Sequence, residues 1–234
     1  MADTDEASAA FAREAEQATQ AAQSNADALG PILRQLGYSN ETRLLEEFGS
    51  RFAEYRSLDR SILELAVENT NLKAQRLSFG PAQVAVDAFR DSLEAIAPSS
   101  PADVWRVKAL AATAVATVRE IQVLQAPHIV EADEAAMTLM EKRMAASEAT
   151  ARSTLAALDS LVRPESRSQL TAATAALDRF NDVNAQIVAL SRRNSNIRSL
   201  ALSLGKKRAL TAACEDSLRA LQDALANRGF SAIR

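Results

Sequence analysis

The chain has 234 residues, of which 47% are apolar and 24% charged, so it can bury one or two ordinary cores and does not have the composition of a disordered tail. Aromatics make up only 4%, with six glycines and six prolines, which disfavours an all-β fold and leaves too few rings to stack nucleic-acid bases. A net charge of -3 gives no broad basic face for nucleic acid, and the single Cys214 excludes an internal disulfide or a two-cysteine site.

The start, Met-Ala-Asp-Thr-Asp-Glu, lacks the basic n-region and apolar h-region of a signal peptide. A first helix is predicted over 3–36, stopped by Gly37 with Asn40 as the next N-cap. A second is predicted over 40–97. It ends at Pro98-Ser99-Ser100-Pro101-Ala102-Asp103, where Ser100 caps, Pro101 takes the first helical position and Asp103 closes a capping box.

A third helix is predicted over 101–162. Its longest uncharged apolar stretch, Ala109 to Val118, is about half of what a bilayer crossing needs. The fourth, 164–228, opens after Arg163-Pro164-Glu165. At about 1.5 Å per residue the last three helices would each run about 90 Å.

A shift of 125 positions superposes the halves without a gap. Residues 52–80, FAEYRSLDRSILELAVENTNLKAQRLSFG, fall on 177–205, LDRFNDVNAQIVALSRRNSNIRSLALSLG, with identical pairs at Ile62/Ile187, Leu65/Leu190, Asn69/Asn194, Asn71/Asn196 and Gly80/Gly205. This is one duplication, not a solenoid. Phe180, Ile187, Asn194 and Ala201 set a heptad, with Val183, Leu190, Ile197 and Leu204 three residues on, and Tyr55, Ile62 and Asn69 repeat it. Such a seam requires helices at a shallow crossing angle.

The predicted fold is therefore all-α: an elongated antiparallel up-down-up-down four-helix bundle. It is one domain over 1–234, made of two duplicated hairpins, about 1–97 and 101–228. In this alignment Met1 falls on Ala126. The first helix then lacks a counterpart of 102–125, and a native start further upstream, or trimming, is expected.

Candidate chemistry is sparse. Neither a His-Glu-x-x-His nor a Ser-His-Asp set, nor a phosphate loop, is legible, so no enzyme is predicted, and no metal or cofactor. His128, the lone histidine, is read as packing beside a Pro127 kink. The alternatives are a ligand contact or a one-His, one-Met haem with Met137 or Met140.

Asn69 and Asn194 occupy core-facing heptad positions at one depth, near Ser8 and Asp133. They form either a registry layer pairing amide with amide or a small polar pocket with Asn71, Arg76, Asn196 and Arg198. Arginines near the turns, Arg34 and Arg43 among them with Arg51, Arg163, Arg167 and Arg179, suit carboxylate ligands. The candidate ligand-binding set is thus Asn69, Arg76, Asn194, Arg198, Arg34 and Arg43. Lys206-Lys207-Arg208 reads as a solvated face, and Gly80-Pro81 and Gly205 mark a matched helix irregularity.

The run LSRRNSNIRSLALSLGKKRALTAACEDSLRALQDAL, Leu190 to Leu225, with QAPHIVEADEAAMTLMEKRM upstream, resembles the four-helix-bundle sensory module of bacterial methyl-accepting chemotaxis receptors and related sensor kinases. The likeness covers Ile121 to Arg234, and Asn40 to Ile96 through the repeat. It implies a membrane-associated module on the periplasmic, extracytoplasmic face of the inner membrane. It also implies a homodimer that binds a small molecule, of organic-acid or amino-acid type, and passes a helix displacement to cytoplasmic signalling domains. Membrane contact would run through segments outside this chain. The alternative is a structural or adaptor bundle in the cytoplasm that docks partner proteins.

Overall fold

The computed structural model describes residues 4–231, and every regular element among them is helical. No β-strand occurs among the described residues; Pro98 and Val162 form an isolated antiparallel bridge. The α-helices in chain order are α1 (Asp5–Gln35), α2 (Ser39–Glu68), α3 (Thr70–Leu77), α4 (Gln83–Glu94), α5 (Val104–Val130), α6 (Glu134–Asp159), α7 (Arg167–Arg193), α8 (Ser195–Leu202) and α9 (Arg208–Ser231).

Local chemistry accounts for the ends. Thr4 caps α1, its hydroxyl accepting from the Ala7 N–H at 3.1 Å. Gly37 sits in the left-handed region at φ 69°, and the Tyr38 N–H donates to the Leu33 carbonyl at 3.0 Å, the wrapped ending that a glycine permits. At the second turn Ser100 precedes Pro101 as expected. Its hydroxyl, however, donates to the Asp103 carboxylate at 2.6 Å and does not cap a backbone N–H, and residues Pro101–Asp103 form a 3-10 turn.

The third predicted helix needs correction. Residues 101–162 do not run straight but fold back as a hairpin, α5 packing along α6. The Ser99 N–H donates to the Leu161 carbonyl at 2.8 Å and the Arg163 N–H to the Ala97 carbonyl at 3.3 Å, so the start of α5 and the end of α6 share one end. The reversal is Glu131-Ala132-Asp133. One Glu131 carboxylate oxygen accepts from the Ala132 and Asp133 N–H groups at 2.8 and 2.9 Å, and Asp133 caps α6 through the Ala136 N–H at 2.7 Å. Carboxylates thus satisfy the freed donors without a glycine, and each arm is about 40 Å long.

Where the sequence treats 1–234 as one domain, contacts gather the chain into two compact units: residues up to Asn69 together with those from Ser195 on, and Thr70–Asn194. In the first, α2 packs against α1 and against α8 and α9. Its core is Leu33, Leu45, Phe48, Phe52, Cys214 and Leu221, with the rings of Phe48 and Phe52 stacked at 5.2 Å. Two ion pairs clasp α2 to the C-terminal segment, Arg228 to Glu41 and Lys207 to Asp59.

In the second unit α5 lies on α6 and α4 on α7, around fully buried Phe89, Phe180, Leu158 and Leu177. Each such side chain contributes about 1.5–3 kcal/mol by leaving water.

Local irregularities recur 125 residues apart. Asn69 (φ 55°, ψ 39°) ends α2 and Asn194 (φ 53°, ψ 38°) ends α7, both left-handed. Each is followed by an eight-residue helix and then a five-residue π-helical turn, Ser78–Ala82 and Ser203–Lys207. The irregularity expected at Gly80-Pro81 and Gly205 is this π turn. Pro81 cannot donate an N–H, which favours a wide turn at Ser78–Ala82. Ser203–Lys207 makes the same turn without a proline.

Candidate functional site: polar nodes at the helix breaks

An asparagine tolerates the left-handed conformation better than other side chains of its size, because its short amide can bond the local backbone. At Asn194 the amide does more. Its oxygen accepts from the Asn71 side chain at 2.8 Å and its nitrogen donates to the Glu131 carbonyl at 2.7 Å, while the Asn71 amide also donates to the Ile129 carbonyl. The end of α7, α3 and the α5–α6 turn are thereby tied at one node. In the other unit the Asn69 oxygen accepts from the Asn196 amide at 2.6 Å and its nitrogen donates to Asp5 at 2.9 Å. Amide does pair with amide, but the pairs are Asn69 with Asn196 and Asn194 with Asn71. The partners on the neighbouring segments are Asp5 and Glu131, two or three residues from the expected Ser8 and Asp133.

Beside the Asn194 node lies a second network, buried at His128 and Ser191 and half-buried at Glu141 and Arg192. His128, with no exposed surface, meets the Ser191 hydroxyl through Nδ1 and Glu141 through Nε2 at 2.9 Å. Arg192 grips Glu141 with Nε and Nη2 at 2.7 and 2.9 Å and bonds the Thr138 hydroxyl at 2.7 Å. A Ser–His–acid chain therefore exists that the sequence did not reveal, because its members lie 63 and 13 residues apart on separate helices.

Ser191 is itself fully buried, and a nucleophile must reach a substrate carbonyl at about 3 Å, so in this packing the chain is a structural tie. Both imidazole nitrogens are bonded, which leaves no lone pair for an axial haem bond with Met137 or Met140. The histidine is packed in the interior, as read from sequence, and Pro127 beside it lies within α5.

Gln125 completes the belt, accepting from the Ser78 hydroxyl at 2.7 Å and donating to Asn184 at 2.9 Å. No buried side-chain nitrogen or oxygen among the described residues lacks a partner.

The Arg192 guanidinium, against the opposing effect of burial and with help from His128, holds the Glu141 carboxyl below its ordinary 4.5. Its native value is thus below the unfolded one. The stability it contributes is present above pH 4.5 and is lost as pH falls through the native value. Arg192→Gln should flatten the acid limb of stability against pH; a chemical-denaturation series between about pH 3 and 6 checks this, an unchanged slope counting against it.

The six candidate residues divide between the units. Asn194 and Arg76 fall in one, and Asn69 and Arg198 in the other, with Arg34 and Arg43. Arg76 and Arg198 are exposed. Arg34 and Arg43 line one shallow groove of about 340 Å³ with Tyr38 and Glu46 at the α1–α2 turn, where Arg43 bonds Asn40 at 3.3 Å and pairs with Glu47 at 3.5 Å. Sequence reasoning overlooked Arg13, Arg56 and Arg60, which converge across α1 and α2.

Among the described residues no cluster of His, Cys, Asp and Glu could hold a metal ion, and no helix is long and apolar enough to cross a membrane. No protein-family model matches the chain, and no curated protein matches it.

Proposed function

We propose that the protein is a non-catalytic sensory module that binds a small molecule of organic-acid or amino-acid type and converts binding into a helix displacement. The carrying observation is the matched pair of breaks, each a left-handed asparagine, an eight-residue helix and a π turn. Left-handed asparagines and π turns are places where a helix can take up rotation or a shift of register. A ligand that favours one of two packings would move both together.

On this reading the chain is a duplicated helical hairpin arranged up-down-up-down. It works as a homodimer on the periplasmic face of the inner membrane, in the manner of the chemotaxis-receptor modules it resembles. Thermal-shift and calorimetric titration of the intact chain with organic acids and amino acids tests this. Saturable binding by one compound class supports it, and uniform silence contradicts it.

One observation favours an adaptor instead. The outer face of α5 carries Trp105, Val123 and Val130, exposed at 81%, 72% and 69%, a surface suited to a partner protein. Capture of a defined protein partner by α5, lost on Trp105→Lys, together with no small-molecule binding, would establish that alternative.

A further inference from the structure

We propose that the groove between α1 and α2 is a binding site for a small dianion, either a dicarboxylate or inorganic phosphate. It names a site for the sensory reading and rests on that reading for its signalling consequence. Arg13 stands on α1, facing Arg56 and Arg60 on α2, around about 440 Å³ of open space, within the usual size range of ligand sites.

Arg56 is oriented by two amides, donating to Gln23 at 3.1 Å and Gln20 at 3.2 Å. Arg13 and Arg60 form no ion pair among the described residues. The carboxylate at the base of the groove, Asp59, is 3% exposed and bound by Lys207, so it is already neutralised. Glu16 is the other acid of the lining, and the groove keeps an excess of guanidinium charge.

The lane 125 residues on is different. There Ala185 replaces Arg60, Thr138 replaces Arg13 and accepts from Arg192, and Asn181 replaces Arg56 and donates to Glu148 at 2.8 Å. None of the three arginines has a cationic counterpart in that lane. Guanidinium forks on facing helices suit a ligand with an oxyanion at each end, or a tetrahedral one with several oxygens, because each fork makes paired charge-assisted bonds. The Gln17 and Gln20 amides in the same lining add neutral donors.

The test titrates the intact chain by calorimetry with succinate, inorganic phosphate and neutral serine at constant ionic strength held by chloride. Saturable binding of succinate or phosphate is expected, weakened at least about tenfold in Arg13→Gln and in Arg60→Gln, both exposed positions whose loss should leave the ligand-free melting temperature unchanged. Which of the two dianions binds identifies the source.

If neither dianion binds more tightly than chloride, or if the variants bind as the native chain does, the site is overturned. Serine binding equally to native chain and variants, with neither dianion bound, overturns the groove while leaving the sensory reading standing, and silence of all three together with the wider set of acids and amino acids overturns both.

Discussion

Asn194→Ala should cost about 3 kcal/mol, on the order of 1 from placing an alanine Cβ in the left-handed region and the rest from the loss of two half-buried hydrogen bonds. The Glu131 carbonyl and the Asn71 amide both lose their bond to it. For a chain of this length such a loss lowers the melting temperature by about 6–12 °C. Asn194→Gly separates the two causes, since glycine accepts the backbone angles and removes only the amide, so it should lie between native and Asn194→Ala. Equal melting temperatures for all three would show that neither the backbone angle nor the node holds the second unit together.

His128→Ala should be of similar size, about 3–4 kcal/mol. It empties a fully buried position and strips one bond each from Ser191 and Glu141, while Arg192 still holds the carboxylate. Ser191→Ala removes one neutral hydroxyl and should cost about 1 kcal/mol. Because both act on the same bond, the double variant should be less destabilised than the sum by about 0.5 kcal/mol or more, on the order expected for contacting residues. Urea midpoints of the four proteins decide the matter, and strict additivity would mean that the Ser–His contact contributes nothing.

These two residues also mark where sequence reading reached and where it stopped. All-helical structure follows from alanine-rich composition and heptads, and the turns at Gly37, Pro98–Asp103 and Arg163–Glu165 are punctuated by residues that cannot continue a helix. The asparagines stood out because a polar residue in an apolar heptad has to be explained, yet the heptad continues through them and conceals the left-handed break. What distinguishes a buried registry residue from a helix end here is the left-handed backbone together with amide bonds to other segments, Asn194 to Glu131 and Asn71 and Asn69 to Asp5 and Asn196, which a side-chain pattern does not encode.

The Glu131–Asp133 reversal escaped for a related reason. It contains neither glycine nor proline, and its turn is made by two carboxylates capping freed N–H groups. The His128 network and the arginine groove join residues far apart in the chain, and no spacing rule brings Glu141, Ser191 and His128, or Arg13 and Arg60, together.

The most direct test of coupled movement at the matched breaks is hydrogen exchange with mass readout, on the intact chain with and without a compound that calorimetry shows to bind. Exchange should change at both breaks together, over 69–82 and over 194–207, with the centres of α6 and α7 little affected. A change confined to one break, or protection that spreads evenly along every helix, would contradict a module that signals through the pair.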